Sequence, residues 1–297
     1  MKILLTGATG FLGREIADEL LKLNFSVVGI GGKKSTGVEP TNYKAGEFFN
    51  ADVADYKSLE KIEKIGTVDA VIHSAGLAHQ FERIDGERFD AVNVRGTKNV
   101  ARLAVKLKAR QFILIGSTAV YGIKSRRGKE RRLISEIEIT ETAECRPETV
   151  YAESKLAAEK AARDVCEMNN IALTILRLAP VLGEDNVGNA ARLTEAIDGN
   201  KFLWVGAGEN LKTLVYKRDA ARACSIILSN KKGGTEIFNV AAEPVKMFDF
   251  MNLIADNLGK RIPGVRIPAA LCKMIFSLNS KIFGIKKIDG LAVTIEK

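Results

Sequence analysis

Cysteine is scarce and scattered: Cys145, Cys166, Cys224 and Cys272 form no CxxC pair and have no histidine at ligand spacing. That excludes a cysteine-based metal centre and a disulfide framework, leaving four packing residues. Long apolar runs are missing as well. MKILLTG offers three consecutive apolar residues before a polar turn, so neither a signal peptide nor a membrane-inserted segment is expected, and the cytoplasm is the default location. No internal repeat and no low-complexity linker interrupts the 297 residues, so a second lobe has to be built from insertions and the C-terminal third. Aromatics are absent from the densest basic cluster, KSRRGKERR at Lys124–Arg132, which holds one glutamate among its basic residues. A strip for stacking nucleic-acid bases needs such aromatics. The net charge of +9 therefore reads as a solvated loop, or as a rim that draws phosphate towards an enzyme of multiply anionic substrates, and no nucleic-acid partner is expected.

Short apolar runs alternate with segments of helical period. KILLT, a helix near Phe11–Leu23, SVVGI, VDAVIHSA, a helix near Phe89–Leu107, QFILIGS, the helix around Tyr151 and ALTILRL follow one another. Strands alternating with helices of ten or more residues predict βαβ units and an α/β, doubly wound parallel sheet covered on both faces. Beyond Leu178, glycine- and asparagine-rich punctuation separates shorter elements. The expectation is a dinucleotide-binding domain over 1–178, rejoined by segments near 213–240, with 179–297 mainly a smaller substrate-binding lobe at the sheet's C-terminal edge.

TGATGFLG follows the first strand and opens the first helix, with Gly7, Gly10 and Gly13 in GxxGxxG spacing. One glycine turns the chain, one lets backbone approach a pyrophosphate, and one packs helix on strand, with the helix N-terminus facing the anion. The second strand should end on the residue that meets the adenosine ribose, and Gly31 stands there, followed by Lys33 and Lys34. An acid there would accept from the ribose hydroxyls and repel a 2′-phosphate. Its absence beside two lysines favours NADP(H), with NAD(H) the alternative and solvated lysines the plainer reading. Asp52, in ADVAD, either meets the adenine amine or caps a helix.

FILIGSTAVYG brings Ser117 and Thr118 to a strand end, and YAESK sets Tyr151 one helical turn ahead of Lys155. A phenol has a pKa of about 10 and an ammonium stabilises its anion. At about 4 Å and an effective dielectric of about 20, the attraction is on the order of 4 kcal/mol, enough to bring the phenol near neutrality. Such a group can exchange a proton with a sugar hydroxyl while a nicotinamide exchanges hydride at the same carbon, and a serine can hold the developing carbonyl.

Together TGATGFLG, ADVAD, HSAGLAH, NVRGTKNV, GSTAVYG, YAESK and RLAPVLG resemble the NAD-dependent epimerase/dehydratase family of the extended short-chain dehydrogenases/reductases, whose members act on nucleotide sugars. The resemblance implies Ser117, Tyr151 and Lys155 as the catalytic set, with Lys155 also on the nicotinamide ribose. It implies that Gly7, Gly10, Phe11, Leu12, Gly13, Asp52, Val53, His73, Ala75, Asn93 and Pro180 line the cofactor. A neutral core histidine and a helix-stabilising asparagine are the plain alternatives for His73 and Asn93. It further implies that Thr118, Asn189, Arg192 and Lys212 meet a nucleotide diphosphate sugar, Lys212 with a point charge in place of the family's arginine; Arg192 could equally be a surface residue.

Two departures narrow the expectation. Family dehydratases carry an acidic pair after the hydroxyl residue, and here Ala119 and Val120 stand there, leaving chemistry at one carbinol carbon. Gly31 with its lysines suits an exchangeable NADPH and so a 4-keto-sugar reductase, with a 4-epimerase as the alternative. The chain stops at Lys297, soon after IPAALCKMIFSL, so the wall for the nucleobase is expected to be short or supplied otherwise. A catalytically silent dinucleotide sensor and a reductase of a non-sugar ketone, such as a steroid or flavonoid, are the competing readings. The Ala- and Val-rich faces of the helices at Phe89 and Tyr151 suit either a homodimer seam or packing on the sheet.

Overall fold

A computed structural model describes residues 1–32, 46–78, 86–122, 139–186, 188–230, 233–264 and 266–267. The basic cluster at 124–132, Lys33, Lys34, Cys272 and the segment from 268 onward lie outside them. The described residues divide into two units, the first drawn from 1–122, 139–183 and 215–241, the second from 184–214 and 242–267.

The first unit holds seven parallel strands. Six are β1 (Lys2–Thr6), β2 (Ser26–Gly31), β3 (Phe48–Asn50), β4 (Ala70–His73), β5 (Gln111–Ser117) and β6 (Ala172–Leu178), and Thr235–Val240 forms an edge. The spatial order is Thr235–Val240, β6, β5, β4, β1, β2, β3. The doubly wound parallel sheet expected from the βαβ alternation is therefore the observed fold. Near-continuous burial along β1, β2, β4, β5 and β6 is what helices on both faces demand.

One face is covered by α1 (Phe11–Lys22) and the helix Lys217–Ser229, whose Ile16, Leu20, Ala221 and Leu228 pack on Ile3, Leu5 and Ile113. The other is covered by α2 (Tyr56–Glu60), α4 (Gly96–Lys106) and α5 (Val150–Met168), with Leu59, Val100, Leu103 and Ala162 on Leu4, Val71 and Phe112. Val100, Ala101 and Ala104 of α4 and Ala162 of α5 are thus used on their own sheet. The helix expected near Phe89–Leu107 is three segments: α3 (Gly86–Phe89), a π-helical stretch Asp90–Arg95 and α4. The wider turn falls on Asn93, and such interruptions concentrate at functional places.

Chain order reverses between β1 and β4, and Thr6 pairs with His73 at their C-terminal ends. Ligands of open α/β sheets bind in the crevice at such a switch point.

In the second unit the helices Asn189–Asp198 and Met247–Asn257 enclose Ile197, Phe202, Trp204, Met251 and Ala255. Trp204 stacks on Phe248 at 5.4 Å and receives the edge of Phe202 at 5.1 Å.

Candidate active site at the sheet's switch point

The glycine turn divides its tasks as the spacing predicts. Gly7 has φ +69, and a methyl group there would stand 2.7 Å from the Ala75 nitrogen. Gly13 has no room at all, because an added carbon would lie against the Gly7 carbonyl and 3.1 Å from the Ala8 Cα. Gly10 is different: only the Gly7 carbonyl, at 3.1 Å, would face a side chain there. Gly10 also N-caps α1 with no side chain to occupy the first-turn N–H groups of Phe11, Leu12 and Gly13. An open approach to uncapped helix N–H groups fits the pyrophosphate of a dinucleotide. Asp52 accepts from the Ala54 N–H at 2.9 Å, while the cap of α2 falls to Asp55, which accepts from Lys57 N–H at 3.0 Å. Val53 is buried and packs on Gly96.

Ser117 closes β5 and caps a short 3-10 turn, Thr118–Tyr121, by accepting from Ala119 N–H at 3.2 Å. Thr149 caps α5 through the Ala152 N–H at 3.1 Å, which puts Tyr151 in the first turn and Lys155 in the second. The Tyr151 hydroxyl is near enough to Ser117 for that side chain to favour its ionised form, and its ring meets the edge of Phe89 at 6.0 Å. The Lys155 ammonium donates to the Ile115 carbonyl at 2.6 Å. The three residues singled out from separate motifs thus converge at the C-terminal end of β5. Thr118 donates to the Leu178 carbonyl at 3.3 Å, and the Pro180 carbonyl accepts from Val215 N–H at 3.1 Å.

The electrostatics correct the sequence-based expectation. The phenol was to fall towards neutrality under the lysine's charge. Instead, burial holds Tyr151 above its usual value, with the Ser117 hydrogen bond pulling the other way. Burial also draws Lys155 down to about 8, against the charge of Glu159. Both side chains keep some surface open, yet the burial around them disfavours the phenolate and the ammonium alike. Without ligand, Tyr151 keeps its proton.

His73 and Asn93 are 1% and 2% exposed, and their polar atoms are satisfied inside the protein. Thr97 gives its one hydroxyl proton to the Asn93 carbonyl at 2.5 Å, so it accepts from His73 Nε2 at 3.0 Å. Nδ1 is then the acceptor for Thr6 Oγ1 at 2.6 Å, and that oxygen takes the Ala75 N–H at 3.3 Å. Asn93 exchanges hydrogen bonds with Leu77 N–H at 2.8 Å and the Leu77 carbonyl at 3.2 Å, and donates to Ser154 Oγ at 2.9 Å. Ser154 in turn donates to the Tyr151 carbonyl at 2.7 Å. This buried chain ties β1, β4 and the loop after it to the helix that carries Tyr151. Thr6, Thr97 and Ser154 were not singled out from the sequence; hydroxyls on otherwise apolar buried faces were the available signal.

Burial, with a lesser push from Lys155, lowers His73 to about 3. In the unfolded chain it titrates near 6.5. Between these values the unfolded state binds more protons, so stability is lost as pH falls below about 6.5, by about 2 kcal/mol at pH 5. Wild type and His73→Gln, compared by denaturant unfolding from pH 8 to 5, should show a gap that closes as pH falls.

In the second unit, Asn189 opens its helix, with its side chain outside the described residues, and Arg192 lies on the same helix. Lys212 sits in a two-stranded antiparallel ladder opposite Val245, and burial lowers its ammonium pKa. Among the described residues no three His, Cys, Asp or Glu side chains are grouped to hold a metal, and no helix is long and apolar enough to cross a membrane.

A glycine turn at an uncapped helix start, a Ser–Tyr–Lys set and a doubly wound sheet now stand together. Comparison with known proteins agrees. The chain is 28% identical to an N-acetyl-alpha-D-glucosaminyl-diphospho-ditrans,octacis-undecaprenol 4-epimerase of Escherichia coli O157:H7, over 99% of this chain and 84% of that one. It is 27% identical to a UDP-glucose 4-epimerase of Vibrio cholerae, over 99% and 86%. Among solved structures, the UDP-glucose 4-epimerase of Thermus thermophilus in complex with NAD superposes with a TM-score of 0.76 at 22% identity, covering 90% of this chain and 86% of that one. The UDP-glucuronic acid 4-epimerase of Bacillus cereus gives 0.74 at 24% identity, over 90% and 87%. The model of the NAD dependent epimerase/dehydratase family matches residues 3–241, and the chain belongs to that family, as an enzyme of the extended short-chain dehydrogenase/reductase superfamily.

Proposed function

We propose that the chain catalyses reversible oxidation at C4 of a hexose carried on a diphosphate, and so interconverts C4 epimers. The observation that carries this reading is the meeting of Ser117, Tyr151 and Lys155 at the end of β5. The relatives named as 4-epimerases, spanned along most of their length, support the position of attack. The turn at Gly7–Gly13 and the adjoining Ala75 backbone would hold the dinucleotide. Oxidised nicotinamide, when bound, accepts hydride and brings a positive charge.

Tyr151, once the positive charge of bound oxidised nicotinamide has let it release its own proton to solvent, would take the proton of the C4 hydroxyl on oxidation and return it on reduction, while Ser117 would donate to the developing carbonyl oxygen. Lys155, fixed by the Ile115 carbonyl, is the proposed contact to the nicotinamide ribose. Asn189, Arg192 and Lys212 are the proposed contacts to the sugar diphosphate.

A second reading, net reduction of a 4-keto sugar by NADPH, is favoured by two observations. Gly31 leaves the end of β2 without an acid, and burial keeps the proton on Tyr151, the state that reduction starts from.

The test is incubation with UDP- and dTDP-hexoses and a polyprenyl-diphosphate hexosamine, with each nicotinamide cofactor in turn. Epimerisation predicts C4-inverted product with no net change in nicotinamide absorbance. The second reading predicts stoichiometric NADPH consumption with a 4-keto sugar. Cofactor binding without either outcome on any sugar would reject both.

A further inference from the structure

Gly31 need not be glycine for conformational reasons. It ends a regular parallel strand, is not among the glycines of positive φ, and its carbonyl accepts the Ala51 N–H at 3.2 Å. What it lacks is room. A carbon added there would stand 2.7 Å from Thr9 Oγ1, 3.2 Å from Thr9 Cγ2 and 3.1 Å from the tip of the Phe48 ring. Thr9 is itself 8% exposed, set in the turn between Gly7 and Gly10. Its branched side chain turns two heavy atoms to position 31, so rotation about χ1 exchanges one close approach for another.

Position 31 is where a family with this turn places the acid that accepts from the adenosine ribose and repels a 2′-phosphate. Here the first carbon of such an acid would meet a neutral hydroxyl that can donate as well as accept. We propose that Thr9 is a specificity-determining residue: it occupies the site of the ribose-selecting acid, keeps the β2 end uncharged and so admits a 2′-phosphorylated dinucleotide. Acid-based selection for the unphosphorylated cofactor then requires changing Thr9 and Gly31 together. The proposal rests on the reading that this turn binds a nicotinamide dinucleotide.

The experiment is fluorescence titration of NADH and NADPH into the wild type, Thr9→Ala, Gly31→Asp and Thr9→Ala/Gly31→Asp, with thermal unfolding of each. Wild type should bind NADPH at least as tightly as NADH. Gly31→Asp alone should lower the melting temperature and weaken both nucleotides. The double variant should recover stability and NADH binding while weakening NADPH by about tenfold or more, a change of about 1.4 kcal/mol. The proposal is overturned if Gly31→Asp alone switches preference as fully as the pair. It is also overturned if the double variant unfolds like the single one, or if wild type strongly prefers NADH. Failure of wild type to bind either nucleotide removes the underlying reading, and the proposal with it.

Discussion

Replacing Tyr151 with phenylalanine lowers turnover by about a hundred- to ten-thousand-fold, the range of a lost general acid–base, and leaves dinucleotide affinity unchanged. Phenylalanine keeps the ring against Phe89 and removes only the phenolic oxygen beside Ser117. Lys155 keeps its anchor on the Ile115 carbonyl, so the cofactor side of the site is not disturbed. The check is paired: steady-state rates with the best substrate of the panel, and cofactor titration on the same preparation. Turnover within a few-fold of wild type would remove Tyr151 from the chemistry. A fall in turnover matched by a fall in cofactor affinity would mean that the phenol helps hold the dinucleotide.

The parallel sheet and the place of the glycine turn were legible in the sequence because both rest on local rules. Strand and helix periods alternate clearly from Lys2 to Leu178, and Gly7, Gly10 and Gly13 each meet a steric demand that spacing alone can announce. The convergence of Ser117 with Tyr151 was legible too, since each closes or opens an element. What could not be read was the sign of the phenol's shift. A Coulomb term for a lysine one turn away needs only helix geometry, whereas the burial that opposes it depends on everything packed around the two groups. The π-helical stretch at Asn93 escaped for a similar reason: its local sequence suits an ordinary helix, and its bonds go to Leu77 and to Ser154 on α5. Thr9 carries no signal of its own in the sequence, because its role depends on the end of β2 lying beside it in the fold.

Glu159→Ala should destabilise the protein by about 3–5 kcal/mol, the cost of leaving a buried charge without its partner. Glu159 of α5 and Arg177 of β6 are 3% and 4% exposed, and they pair through both oxygens, at 3.1 Å to Nε and 2.7 Å to Nη2. Arg177 Nη1 also donates to the Tyr121 hydroxyl at 2.8 Å, and that hydroxyl donates to Asn239 Oδ1 at 2.7 Å. With Glu159 in place its bonds, with that to Tyr121, outweigh burial and raise the guanidinium's pKa; without it the guanidinium still cannot be deprotonated in a protein, so arginine cannot escape the loss by neutralising. Replacing the pair together, as Glu159→Leu/Arg177→Met, should recover most of the stability, because a buried ion pair is often no better than apolar packing of similar volume. Tyr121 ends the turn that begins after Ser117, and Glu159 lies one turn beyond Lys155. The pair therefore ties the serine's strand end to the helix of Tyr151. Denaturant unfolding of Glu159→Leu, Arg177→Met and the two together closes the cycle. A cost below about 1 kcal/mol for Glu159→Ala, the scale of an exposed pair, would show that this ion pair is not a clamp. Glu159 also holds the Lys155 ammonium up against burial, so in the variant Lys155 should lose its proton at lower pH. An alkaline limb of the pH–rate profile that rests on that ammonium should move to lower pH, a displacement that a loss of packing alone would not produce.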